Sequence, residues 1–315
     1  MSVTESDIDY CLTVSTRSGN DEANKKREDI FIQIIKWIAF MLFGHTSQVP
    51  RFLFENPAWN NLYLETERYV FTNIPEGYEK GNLISLESKK FGGRGKNYDF
   101  SIIYGVNGMP EHIRDIEFKF NVTEVEGCPQ FHSPVEPEKY IISEVPFTKF
   151  HYDNYLWIYE PFMEMNKPSY EDYKNEMKFN NKPNDPFLRE CQKKYYAGSK
   201  GSSQFTDTKE DTAFYQISKD ISEESFKEYF NICELDHQAL TKEWLTKQKN
   251  KEYMLLKDNK INYQKIDEDS YKIVSVEKNC PNFTCTTKNG KTLNVLFRWK
   301  NGHGIAFPAF QVKLN

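Results

Sequence analysis

Nothing in this 315-residue chain is long and apolar enough to read as a membrane-spanning segment. The most hydrophobic run, Ile30 to Phe43, is fourteen residues long and contains Gln33 and Lys36. A spanning helix needs about 20 apolar residues, so this run reads instead as a buried amphipathic helix starting after Asp29. The segment Met1 to Asp9 is polar and acidic, with neither the positive nor the apolar region of a secretory leader. The six cysteines, at 11, 128, 191, 233, 280 and 285, include no C-x-x-C pair. Cys280, Cys285 and His303 approach a zinc set, but their spacing is unusual and no fourth ligand is evident. These absences lead us to expect a reducing, intracellular setting without membrane partners, in which the sequons at Asn121 and Asn282 have no role. No internal repeat is visible. An excess of positive charge is also missing: the net charge of −5 argues against a protein that coats nucleic acid non-specifically. It leaves open an enzyme whose site has acids at its centre and lysines only around it.

What is present suffices for a globular protein. Hydrophobic residues make up 38% and aromatics 15%, ample for a core. Residues 1–25 read as a loosely held terminus. Residues 26–165 read as the main α/β core. Residues 166–252, rich in Lys, Asn, Pro, Ser and Gly around Ala197–Ser203, read as a helical region with a flexible linker, including a helix start at Ser222-Glu223-Glu224. Residues 253–315 read as a small β module of four to six strands, its turns marked by Asp258-Asn259, Asn289-Gly290 and Asn301-Gly302.

The pattern with the most chemical content is Asn97-Tyr98-Asp99 followed, eighteen residues after Asp99, by Glu117 within Asp115-Ile116-Glu117-Phe118-Lys119-Phe120. Apolar residues at 116, 118 and 120 alternate with Asp115, Glu117 and Lys119, so one strand face is buried and the other carries two acids and a lysine. Two carboxylates on adjacent strand ends can hold a hard divalent cation through oxygen ligands. A lysine two residues beyond the second acid points the same way and can reach a bound water or a phosphate. Set against this is an ordinary exposed strand face with a Glu/Lys pair.

The pattern resembles the PD-(D/E)XK, or restriction-endonuclease-like, nuclease superfamily. Asp99 matches its first acid, although Tyr98 replaces the usual proline, and Glu117-Phe118-Lys119 matches the acid-x-Lys half. The resemblance covers roughly residues 96–131. It implies a core with a mixed central sheet flanked by helices and the acids on adjacent strands, with the helical region and C-terminal β module around it. It also implies Asp99 and Glu117 holding one or two Mg²⁺, with Lys119 orienting the attacking water or stabilising charge on the phosphate. A stand-alone chain of this kind looks like a type II restriction endonuclease. Its partners would be double-stranded DNA, a second copy of itself and a cognate methyltransferase in the same genome. A repair, recombination or DNA-degrading nuclease with the same chemistry is the first alternative, and a non-catalytic nucleic-acid-binding or structural protein the second.

Further positions follow from the resemblance. The superfamily often keeps an additional acid on an upstream helix. Glu65 fits this better than Glu67, though either could simply line an exposed helix face beside Arg68. Gln130 lies where several branches place a glutamine, and Pro129-Gln130-Phe131 reads as a helix entry. Arg94 and Lys96, in a Gly-rich loop that lacks the GxxxxGK[ST] phosphate signature, are either DNA-backbone contacts or a surface turn. Arg298 and Lys300 flank Trp299 beside an expected hairpin that could enter a DNA groove, or they merely line a strand. Arg189, Lys193, Lys194 and Lys200 form a second candidate groove edge. Asp115 reads as a solvated strand-entry residue, and His132 and His151 as ordinary surface or core histidines.

Overall fold

In a computed structural model the chain is described over residues 3–13, 20–91, 98–127, 130–132, 139–179, 183–248, 251–300 and 307–314. It is an α/β protein that divides into two compact units. One comprises 1–128 and 246–267, the other 129–245 and 268–315.

The first unit is built on a mixed five-stranded sheet with the order β1-β2-β3-β7-β8. The strands β1 (Leu83–Lys90), β2 (Phe100–Val106) and β3 (His112–Phe120) form an antiparallel meander. After β3 the chain leaves for the second unit. It returns as β7 (Lys251–Lys257), parallel to β3, and turns back through Asp258-Asn259 into β8 (Lys260–Gln264). Asp258 and Asn259 both have positive φ, +49° and +60°, the conformation a two-residue type I′ hairpin requires.

Helices α1 (Asp7–Thr13), α2 (Asn20–Leu42), α3 (Phe52–Glu55) and α4 (Pro57–Val70) precede this sheet. The apolar run of α2 buries Ile30, Phe31, Ile34, Ile35 and Ile38 against Phe100, Ile102, Ile116 and Phe118 of the sheet. Each such side chain contributes about 1.5–3 kcal/mol relative to exposure. Helix α4 starts where Asn56 accepts from the N–H groups of Ala58 and Trp59, with Pro57 in its first turn. Its inward face is Trp59, Leu62, Tyr69 and Val70.

At the carboxyl end of α4 the buried Arg114 donates to the Val70 carbonyl (3.0 Å) and to Glu252 Oε2 (2.6 Å). This cation on a helix terminus ties β3 to β7 three residues before Glu117.

The second unit contains α5 (Phe147–Asn154), α6 (Glu160–Met163), α7 (Tyr170–Phe179), α8 (Pro186–Gly198), α9 (Lys209–Ile232) and most of α10 (His237–Gln248). Its short pair β5 (Ile141–Ile142) and β6 (Glu234–Leu235) is separate from an antiparallel sheet of order β4-β12-β11-β10-β9. Those strands are β4 (Gln130–His132), β9 (Ile273–Asn279), β10 (Asn282–Thr287), β11 (Thr292–Lys300) and β12 (Phe307–Leu314).

Several sequence expectations change. Within 1–25, α1 is an ordered helix with Ile8 and Cys11 buried, and α2 already begins at Asn20. Ser222 starts no helix: α9 is continuous from its cap at Thr208, and the Ser222 hydroxyl donates to the Ser218 carbonyl inside it. Ala197 and Gly198 are buried at the end of α8, not in a linker, because Gly198 lies directly against the Asp211 backbone of α9. Residues 251–264 belong to the first unit's sheet and not to the C-terminal module. Among the described residues no helix is long and apolar enough to cross a membrane.

Candidate active site

The meander register builds the site. Phe100 pairs with Ile116, and the Asp99 N–H donates to the Ile116 carbonyl at 2.8 Å, so Asp99 stands across from Glu117. Side-chain alternation sends Ile116 and Phe118 into the helix-covered core and leaves Asp115, Glu117 and Lys119 on the opposite face. Asp99 Oδ2 accepts the Phe118 N–H at 2.8 Å, which fixes the first acid on the strand that carries the second. Glu117 Oε1 accepts from Lys119. Glu117 Oε2 faces Lys251 Nζ at 3.4 Å. The sequence thus brought Asp99, Glu117 and Lys119 together correctly, and the structure adds Lys251.

Electrostatics set this group apart from a plain strand face. Burial, then the charge of Glu117, pushes the Asp99 carboxyl up to about 6. Burial works against ionised Glu117 as well, but Lys119 and Lys251 outweigh it and hold the carboxyl below its ordinary value. Lys251 is depressed by its burial and by Lys119, against the pull of Glu117. Glu28, in the middle of α2, is a further partner: burial and then the charge of Asp99 raise it to about 7. It also pairs with Lys90 at the end of β1, at 3.6 Å. Perturbed acids gathered on the central strands of a sheet mark this group as a functional-site candidate.

Other expected positions fare differently. Glu65 is not part of this group: its carboxylate accepts the Ile261 N–H on β8 (2.9 Å) and pairs with Arg68 (2.8 Å), an arrangement that joins α4 to the sheet. The helix acid that feels the charge of Asp99 is Glu28. Its position on the α2 face that also carries Phe31, Ile32 and Ile35 was a signal available in the sequence: an acid set into an apolar stripe. Glu67 pairs with Lys80. Asp115 accepts from the Ser101 hydroxyl at 2.6 Å and is therefore held, not freely solvated. Gln130 begins no helix; it lies on β4 opposite Val312, in the second unit. Arg298 and Lys300 lie on β11 of that unit. Arg94 and Lys96 fall outside the described residues. His151 is buried in the second unit, where burial and then Lys167 drive its pKa down to about 3.

Asp99 and Glu117 offer the hard oxygen donors that Mg²⁺ prefers, and the upward shift of Asp99 reflects its burial first and the charge of Glu117 second. Among the described residues, no group of three or more His, Cys, Asp or Glu side chains is close enough to hold a metal ion. The donor set that fits is therefore two carboxylates, which suits an ion that keeps several of its waters. No protein-family model, curated protein or solved structure matches the chain.

Proposed function

We propose that this protein is a metal-dependent endonuclease that hydrolyses phosphodiester bonds in DNA, with a restriction-endonuclease-like first unit. The observation that carries the reading is the placement of Asp99 across from Glu117 on the neighbouring strand, with Lys119 paired to Glu117. The mixed sheet, with acids on adjacent strands and helices packed on one face, agrees with it.

In this reading Asp99 and Glu117 are the ligands of Mg²⁺, and Glu28 adds a third negative charge from α2. The bound ion would lower the pKa of a coordinated water and offset charge on the scissile phosphate. The protein's own part is positional. The Phe118 N–H holds Asp99 in place, leaving its second oxygen for the ion. Lys119, whose side chain is 28% exposed, can exchange Glu117 for a phosphate oxygen or the attacking water. Type II restriction, with a homodimer and a cognate methyltransferase, is the biological role this chemistry best suits.

Incubating intact plasmid with the protein, with Mg²⁺ or with EDTA, and with Lys119→Ala in parallel, tests the reading. Discrete Mg²⁺-dependent fragments that vanish in the variant support site-specific cleavage. A smear that vanishes in the variant moves the reading to a processing or degrading nuclease. No cleavage of duplex, nicked or single-stranded DNA would refute it.

A further inference from the structure

Glu117 is held by two lysines of different character. Lys119 comes from the same strand and is partly exposed. Lys251 is the first residue of β7, reaches across the parallel pairing in which it stands opposite Asp115, and has a side chain only 5% exposed. A buried ammonium carries a large desolvation cost, and a buried ion pair replaced whole by apolar side chains is often no less stable. The four residues after Glu252 on the same strand, Tyr253 to Leu256, are all apolar and buried. If Lys119 stayed on Glu117 throughout, a second buried cation would be an unneeded expense of stability.

Resting on the nuclease reading, we propose that Lys251 is a positioning residue of this site: it grips Glu117 from the buried side, so that the carboxylate keeps its orientation when Lys119 moves to the substrate phosphate. Lys251 itself does not touch DNA. Its effect passes through Glu117, and loss of that grip leaves the carboxylate free to shift by about an ångström. Misplacement on that scale costs about a hundredfold in rate.

Two measurements separate this proposal from the reading beneath it. The first needs no activity: urea unfolding in EDTA of the unaltered protein, Lys251→Met, Glu117→Gln and the double variant. The expected result is that Lys251→Met lowers the midpoint clearly, while in the Glu117→Gln background it lowers it little, because the buried carboxylate's charge has gone. Should Lys251→Met fail to fold, the double variant is expected to fold; failure of both overturns the proposal, as does an equal loss in both backgrounds. The second is cleavage of a duplex in Mg²⁺. Lys251→Met is expected to lower kcat about a hundredfold with KM for DNA little changed, and Lys251→Arg to recover most of kcat. A folded Lys251→Met that cleaves at the unaltered rate, or a loss confined to KM, overturns the proposal while leaving the nuclease reading intact. If the unaltered protein cleaves nothing, the nuclease reading fails, and the catalytic role of Lys251 with it, whatever the urea series shows.

Discussion

Replacing Asp99 with asparagine should make the protein more stable while disabling it. Asparagine keeps the shape of the side chain and a carbonyl oxygen to accept the Phe118 N–H, but it removes the charge that faces Glu117 and Glu28. The folded carboxyl titrates near 6 against an ordinary value of 3.8. The fold therefore binds the Asp99 proton more tightly than the unfolded chain does, and the penalty for ionising it grows as pH rises from 3.8 through 6, then levels off. By linkage the penalty is about 0.5 kcal/mol at pH 4 and about 3 kcal/mol at pH 8. Asp99 is half-buried, so solvent screening trims the upper figure toward about 2 kcal/mol. Urea unfolding followed by tryptophan fluorescence, in EDTA at pH 8 and near pH 4.5, measures the difference. Asp99→Asn should be clearly more stable than the unaltered protein at pH 8, and the gain should shrink in acid. Adding Mg²⁺ at ten times its dissociation constant should restore about 1.4 kcal/mol to the unaltered protein and little to the variant. A variant no more stable at pH 8, or one with the same gain at both pH values, would refute the view that Asp99 and Glu117 form a strained acid pair.

Three other expectations concern the scaffold. His151 is fully buried with its pKa lowered to about 3, so the unfolded chain takes up a proton that the fold refuses, and stability falls as pH drops from 6.5 toward 3. Because Asp99 and Glu28 shift stability the opposite way over this range, the histidine is read as a difference: from pH 7.5 to 5.5 the unaltered protein should lose about 1.4 kcal/mol relative to His151→Phe. Arg114→Met removes the buried partner of Glu252, leaving it Lys265 (3.1 Å) and the Tyr263 hydroxyl, and should cost about 3 kcal/mol in urea, with part of that recovered when Glu252→Met is added; no recovery would mean that packing, and not charge, dominates there. Gly198→Ala would set a Cβ 2.0 Å from the Asp211 carbonyl oxygen. It should cost about 1–3 kcal/mol, or roughly 2–12 °C in melting temperature, whereas Gly201→Ala, with nothing within 4 Å, should leave the melt unchanged.

What could be read from the sequence was what lies close along the chain. Period-2 alternation at 116, 118 and 120 identified β3 and the face bearing Glu117 and Lys119. Helix α2 was legible from its apolar run. The missed parts depend on pairing between distant segments. Lys251 meets Glu117 across 134 positions through a parallel ladder, and no local pattern announces that kind of contact. Glu65 was favoured because it lies on a helix upstream of the motif. But α4 packs on β8, and its acid satisfies a strand N–H there; the helix that delivers an acid to Asp99 is α2. Ser222 read as a helix cap because serine followed by acids has that look, yet its neighbours on α9 are buried on the same face, and packing outweighs the local preference.

The most direct test of the site is the rate at which Asp99→Asn, shown to be folded, cuts duplex DNA in Mg²⁺ beside the unaltered protein. Asp99 as a ligand of the catalytic ion requires Mg²⁺-dependent cleavage by the unaltered protein and a loss of at least about a thousandfold in the variant despite its greater stability, a share of the rate comparable to other electrostatic contributors. Cleavage by the variant at a similar rate, or no cleavage by the unaltered protein, would contradict it.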